Sequence, residues 1–103
     1  MLLLFAATFA WGAGPYLKVI SPVREQRLIF AYELRQPSNV EISLADSCGE
    51  LIVPISSGMR SRGQFYEEYT LPFLPQGVYL LQLNIDNNKV ERRVVIEKAF
   101  SGL

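Results

Sequence analysis

The chain has 103 residues, of which half are hydrophobic and 19% are charged, so it has the size and composition of one folded domain. Ten basic residues balance ten acidic residues, and this neutral charge argues against general nucleic-acid binding, which needs a basic surface. The chain has no histidine, which is the most common general base and metal ligand. We therefore expect no catalytic site, no metal, no cofactor and no small-molecule substrate.

Residues 1–13 predict a signal peptide. They form an apolar run that is too short to cross a bilayer but has the length of the hydrophobic core of an export signal. The small residues Ala10 and Gly12 suit cleavage before Ala13, and Thr8 and Ala10 suit an earlier cleavage. A buried N-terminal strand or a retained anchor is the alternative. We favour the signal peptide, and we expect residues 14–103 to form the exported module.

The rest of the chain alternates apolar and polar residues with a period of two, which is typical of half-buried β-strands. Strands are predicted, in chain order, at residues 16–20, 27–34, 40–44, 50–55 and 64–71, and in a closing hairpin over 77–97. Turns are predicted at 36–39 and 46–49, and a loop rich in glycine, serine and arginine at 56–63.

About seven short strands with regularly spaced turns predict an all-β fold, an antiparallel sandwich of immunoglobulin-like type. The expected core contains one inward-facing set of side chains: Phe30, Ile42, Leu44, Tyr79, Leu81 and Val94. Cys48 is the only cysteine, so no internal disulfide is possible. Cys48 lies in a predicted turn, either as an exposed attachment point or, as we favour, simply as a small residue that a turn tolerates.

The run Leu-Pro-Gln-Gly-Val-Tyr over residues 74–79 opens the closing hairpin. Such an opening resembles the C-terminal sorting domain of proteins exported by the type IX secretion system of Bacteroidota. Other segments follow the family's order: Ser21-Pro22-Val23 before the first long strand, the turn Asp46-Ser47-Cys48-Gly49 between two strands, and a terminal segment that ends at Lys98. The resemblance extends from about Val19 to Lys98.

The resemblance implies an exported interaction module that docks with outer-membrane secretion or cell-surface machinery, as a substrate or as an accessory subunit. It implies a location in the periplasm, at the outer membrane or on the cell surface. It also implies partner-binding roles for five residues: Pro22, Gly77, Val78, Tyr79 and Lys98. A purely structural role stays open for Gly77, which a turn can require, and for Tyr79, which can pack in the core.

Two other functions are compatible with a sandwich. A carbohydrate-binding module would need coplanar exposed aromatic side chains, and the candidates are Tyr66, Tyr69 and Phe73. An enzyme would have to use the acidic pair Glu67-Glu68, because no other paired acids have an evident geometry. Adjacent residues of a strand point to opposite faces, so these two carboxylates are not expected to converge.

Overall fold

A computed structural model describes residues 16–97, which form two antiparallel β-sheets without a helix. The strands are β1 (Tyr16–Val19), β2 (Arg27–Leu34), β3 (Ser38–Asp46), β4 (Leu51–Arg60), β5 (Gly63–Thr70), β6 (Gly77–Ile85) and β7 (Asn88–Ile96). The predicted all-β sandwich and its seven strands are confirmed. Residues 1–13, for which a signal peptide is predicted, lie outside the described residues.

The three-stranded sheet has the order β1-β2-β5, and the four-stranded sheet has the order β4-β3-β6-β7. Hairpins join β1 to β2, β3 to β4 and β6 to β7, while the other connections cross between the sheets. The edges of the four-stranded sheet are therefore β4 on one side and β7 on the other.

The core lies between the sheets and is built by alternate residues of each strand. Each of the six residues expected in the core is buried, with Tyr79, the most accessible of them, only 7% exposed. Further buried side chains extend the same cluster: Leu17, Val23, Leu28, Tyr32, Leu34, Val40, Val53, Leu71, Leu83 and Ile96. Burying one such side chain contributes roughly 1.5–3 kcal/mol, so the period-two pattern is the main source of stability.

The β6–β7 hairpin closes through only two residues. Ile85 pairs with Asn88, and both residues between them have positive φ angles, 47° for Asp86 and 73° for Asn87. Two consecutive positive φ angles define a type I′ turn, for which aspartate and asparagine are suitable residues. The Asp86 side chain also accepts a hydrogen bond from the Asn39 backbone N–H at 3.0 Å. This turn fixes the register that brings the ends of the hairpin together.

Strand β4 corrects one prediction, because residues 56–60 are strand and not loop. Ser57 pairs with Glu41 of β3, and Met59 pairs with Asn39. Pairing with β3 outweighs the weak strand preference of serine and glycine, since propensity depends strongly on context. The register shifts twice along β4, on either side of Pro54, which is a residue tolerated at edge strands.

Candidate functional site

Two of the segments predicted to bind a partner lie close together at one corner of the four-stranded sheet, although they are far apart in the sequence: the segment around Pro22 and residues 77–79. Gly77, Val78 and Tyr79 begin β6, and they pair with the last residues of β7, from Val94 to Ile96. On the other side of β7, Val23 forms a parallel bridge to Ile96. Pro22, which is half-buried and follows a cis peptide bond, precedes this bridge. We call this region the C-terminal corner.

The segment around Pro22 covers the outer edge of β7 at this corner. The Val23 N–H donates to the carbonyl oxygen of Val95 at 2.7 Å, and the Glu97 N–H donates to the Val23 carbonyl at 3.2 Å. The hydroxyl of Ser21 accepts a further bond from the Val95 N–H at 3.1 Å. The final residues of β7 are thus already paired on both sides. A strand from a partner would find free backbone groups only along the earlier part of β7.

Tyr79 serves the interior of the domain. Its ring is buried, and its hydroxyl donates to the carbonyl oxygen of Pro75 at 2.6 Å. This bond ties the proline-containing connection to the start of β6. Gly77 has a φ of +158°, at the edge of the range that favours glycine, although an added Cβ would meet only the Tyr79 ring at an ordinary 3.8 Å. The backbone conformation, and not a lack of space, is what favours glycine at this position.

Val78 and Val95 form an exposed apolar pair at the C-terminal corner. They are direct cross-strand partners, and their side chains are 38% and 40% exposed. The neighbouring row continues the apolar surface towards β4, since Ala45 pairs with both Leu80 and the exposed Leu51, whereas on β7 the partner of Leu80 is the exposed Arg93. We call Val78, Val95, Leu80 and Leu51 the corner patch.

Charged residues border the corner. The Arg24 guanidinium contacts the Glu97 carboxylate, with Nε and Oε1 3.2 Å apart. Both side chains are well exposed, so this ion pair adds little stability, about 0–1 kcal/mol, and mainly marks a polar rim. Lys98, the last residue of the predicted partner-binding set, lies outside the described residues.

A polar cluster joins the two sheets near strands β4 and β5. The Tyr32 hydroxyl donates to the Glu67 carboxylate at 2.7 Å and accepts from Arg60 Nε at 3.1 Å. The Arg60 side chain also donates to the hydroxyl of Ser56. Burial of the phenol, together with its bond to Glu67, raises the pKa of Tyr32 to about 12, against a smaller opposing effect of Arg60. The cluster therefore holds a neutral phenol between the Arg60 guanidinium and the Glu67 carboxylate, whose Nε and Oε2 atoms are 3.9 Å apart.

Glu67 and Glu68 point to opposite sides of the sheet, as predicted. Glu67 contacts Tyr32 and Arg60, whereas Glu68 pairs with Arg27. The two carboxylates thus do not form a catalytic pair. Within residues 16–97 no group of three or more metal-ligating side chains gathers, and none of the described segments is a helix that could span a membrane.

The three aromatic residues proposed for sugar binding do not share one surface. Tyr66 is 72% exposed and Phe73 is 77% exposed, but Phe73 lies in the β5–β6 connection. Tyr69 packs against the core. Cys48 is exposed in the β3–β4 turn, where the Asp46 side chain accepts from its backbone N–H at 3.0 Å.

Sequence reasoning missed Val95 and Val23 as parts of the corner. One signal was available for Val95, because Val94, Val95 and Ile96 are three consecutive apolar residues. Such a run breaks the period of two and indicates a strand end that is apolar on both faces. The pairing of Val23 with β7 has no comparable local signal.

Three comparisons relate the chain to known proteins. The family model described as "Secretion system C-terminal sorting domain" matches residues 22–97. No curated protein matches the chain. A solved structure of the alkylpurine DNA glycosylase AlkC from Pseudomonas fluorescens, bound to DNA containing an abasic site analog, is 12% identical with a TM-score of 0.49. That match covers 81% of this chain and only 29% of the glycosylase chain, and a likeness at this level supports no inference.

Proposed function

Because the chain belongs to the family of secretion system C-terminal sorting domains, we propose that its sorting role is exercised by docking of the corner patch on outer-membrane machinery. The family is a type IX sorting domain, which marks proteins for export to the cell surface or outer membrane, and it is not a catalytic family. The proposal adds the surface that the machinery would contact.

The exposed pair Val78–Val95 is the observation that carries this proposal. Outward positions of a sheet that faces water are normally polar, as in the preceding rows of the same face, where Gln82 donates to Glu91 at 2.7 Å. At the corner both partners are valine, and Leu80 and Leu51 continue the patch. Exposed apolar patches with a polar rim are typical of protein–protein contact sites.

Hydrogen bonds also restrain the corner on both of its strands. The Val23 bridge fixes β7 from outside, and the bond from Tyr79 to Pro75 fixes the entry to β6. A preorganised surface loses less conformational entropy on binding, which favours affinity for a given contact area. In this view Gly77 and Tyr79 act by shaping the corner, and Val78 makes the contact.

The docking proposal differs from strand addition at the end of β7. The backbone groups of Val95 are already bonded to Ser21 and Val23, so the last residues of β7 offer no free edge. Side-chain contact with the outer face of β6 and β7 is compatible with this pairing.

The test is a charge-pair substitution in the complete chain, produced in a bacterium with a working type IX system. Val78→Lys combined with Val95→Glu removes the apolar pair, keeps the net charge and creates an opposite-charge pair that a sheet tolerates. The matched control is Asn39→Lys with Met59→Glu, which places the same pair at the far end of the same sheet. The readout is the fraction of protein in the outer membrane and on the cell surface, with folding checked by circular dichroism.

We expect the Val78/Val95 double variant to lose outer-membrane association and the Asn39/Met59 variant to keep it. Equal association of both folded variants would show that the corner patch is not the docking surface. A strain without type IX machinery provides the separate test of the sorting role, since unchanged surface delivery there would contradict that role itself.

A further inference from the structure

The outer face of the three-stranded sheet carries two exposed tyrosines that lie outside the proposed docking surface. Tyr66 of β5 is 72% exposed and Tyr16 of β1 is 50% exposed. Both residues alternate with inward-facing neighbours, so their side chains stand on the water-exposed side of the sheet. This face is turned away from the four-stranded sheet, and hence from the corner patch.

The strand register puts the two tyrosines on the strands either side of β2, diagonally across Ala31, whose own partner on β1 is Lys18. Tyr66 pairs with Ala31 of the central strand β2, while Tyr16 pairs with Glu33, two residues further along β2. Two strand spacings separate β1 from β5, about 10 Å, and the two-residue offset adds about 7 Å along the strands. The rings therefore flank Ala31 diagonally instead of stacking on each other.

Between the tyrosines lies a shallow depression of about 480 Å³. Ala31 lies between the two tyrosine strands, and Glu33 and Gln64, which pair with each other, border the depression next to Tyr16. A volume of this size is in the range of small-ligand sites, about 300–1,000 Å³. The depression thus has a tyrosine ring on two sides, the small Ala31 side chain at its base and polar side chains at its margin.

The chemistry of this face matches a saccharide. A tyrosine ring has an electron-rich face that attracts the C–H groups on the flat side of a sugar ring. The Glu33 carboxylate accepts hydrogen bonds, and the Gln64 amide both donates and accepts them, as hydroxyl groups require. We propose that the outer face of the three-stranded sheet binds an extended, uncharged saccharide chain, with Tyr16 and Tyr66 stacking on two of its rings.

Other occupants fit this face less well. A nucleic acid could stack its bases on the tyrosines but would need a basic surface, whereas Lys18 and Arg27 on this face are balanced by Glu33 and Glu68. A peptide that adds as a strand would pair with the outer edge of β1 or β5 and would not lie on this face, because the backbone groups of β2 are used by β1 and β5 on both sides. A hydroxyl-rich neutral chain needs neither a basic surface nor a free edge.

The test measures binding of the complete chain to soluble hexasaccharides built from glucose, xylose, mannose or N-acetylglucosamine. Isothermal titration and chemical-shift perturbation serve as readouts. The variants are Tyr16→Ala, Tyr66→Ala and the double change, and Tyr66→Phe keeps the ring. Phe73→Ala is the matched control, because Phe73 is an equally exposed aromatic residue outside this face.

We expect at least one hexasaccharide to bind, and each tyrosine-to-alanine change to lower its affinity about fivefold, which corresponds to an aromatic contact of about 1 kcal/mol. Tyr66→Phe and Phe73→Ala should keep most of the affinity. Absence of binding to every member at millimolar concentration would overturn the proposal, and so would full binding by the double variant. Concentration-dependent dimerisation that Tyr66→Ala abolishes would instead identify a second copy as the occupant. None of these outcomes depends on docking through the corner patch.

Discussion

The backbone N–H of Val23 bonds to the carbonyl oxygen of Val95 at 2.7 Å, so the beginning and the end of the family-matched region are direct neighbours. This relationship makes large C-terminal deletions uninformative. Removing residues 94–103 would take away the partner of Val23 as well as two buried core residues, Val94 and Ile96. Point substitutions that leave the bridge intact separate the docking surface from the fold.

Shortening one buried side chain of the core should strongly destabilise the domain. Leu81 is fully buried in β6, and Leu81→Ala should lower the free energy of unfolding by about 2–5 kcal/mol, because it leaves a cavity between the sheets. Leu51→Ala is the matched control, since Leu51 is 58% exposed, and we expect a change within about 0.5 kcal/mol. Urea denaturation of both variants checks this prediction. Similar losses for the two leucines would contradict the observed burial.

The hydroxyl of Tyr79 should matter for stability independently of its ring. Tyr79→Phe removes the bond to the Pro75 carbonyl and leaves that acceptor unpaired, which we expect to cost about 1 kcal/mol. Tyr66→Phe, at an exposed tyrosine, should leave the unfolding midpoint unchanged. If Tyr79→Phe unfolds like the wild type but loses outer-membrane association, the hydroxyl acts on a partner and not on the fold.

Because the pKa of Tyr32 is raised, we expect the free energy of unfolding to fall in strong base. Its pKa is about 12 in the folded state against an ordinary 10.0, so between these values the unfolded chain loses the phenolic proton while the folded chain keeps it. The contribution is therefore complete below about pH 10 and disappears as the pH rises through 12. Denaturation midpoints measured from pH 9 to 12 should fall less steeply for Tyr32→Phe than for the wild type.

A matched comparison isolates this effect from the other groups that titrate in the same range. Tyr66→Phe removes an exposed phenol and should keep the slope of the wild type. Parallel curves for all three proteins would show that Tyr32 does not contribute to the loss of stability.

The N-terminal segment gives a prediction that mass spectrometry decides. The apolar run with small residues near Ala10 and Gly12 leads us to expect that about the first twelve residues are removed during export. The intact mass of protein isolated from the native host would then correspond to a chain beginning near Ala13. Detection of Met1 through Phe9 in the exported protein would exclude cleavage.

Local pattern was enough to predict the strands and the core, because the period of two directly reflects which side chains face the other sheet. Phe30 and Leu81 are buried as that pattern requires. The same pattern failed over residues 56–60, where strand formation depends on pairing with β3 and not on the residues themselves. Whether such residues form a strand depends on contacts with segments that are distant in the sequence.

The candidate site was predictable only in part for the same reason. The segments with Pro22 and with Gly77 to Tyr79 were identified by their resemblance to the family, but their meeting at β7 is a matter of register. Register also pairs Ala31 with Tyr66 and places Tyr16 beside Glu33. No local pattern in a single sequence states which strands are neighbours.

Different structural features hinder the two edge strands of the four-stranded sheet, β4 and β7, from pairing with another chain. Val23 occupies the end of β7, while β4 carries Pro54, which has no N–H to offer, between two shifts of register. Flat, unpaired edges allow copies of a protein to join into open-ended fibres. The irregular strand β4 and the occupied end of β7 therefore disfavour such joining at these two edges, even where copies of the domain are concentrated on a cell surface.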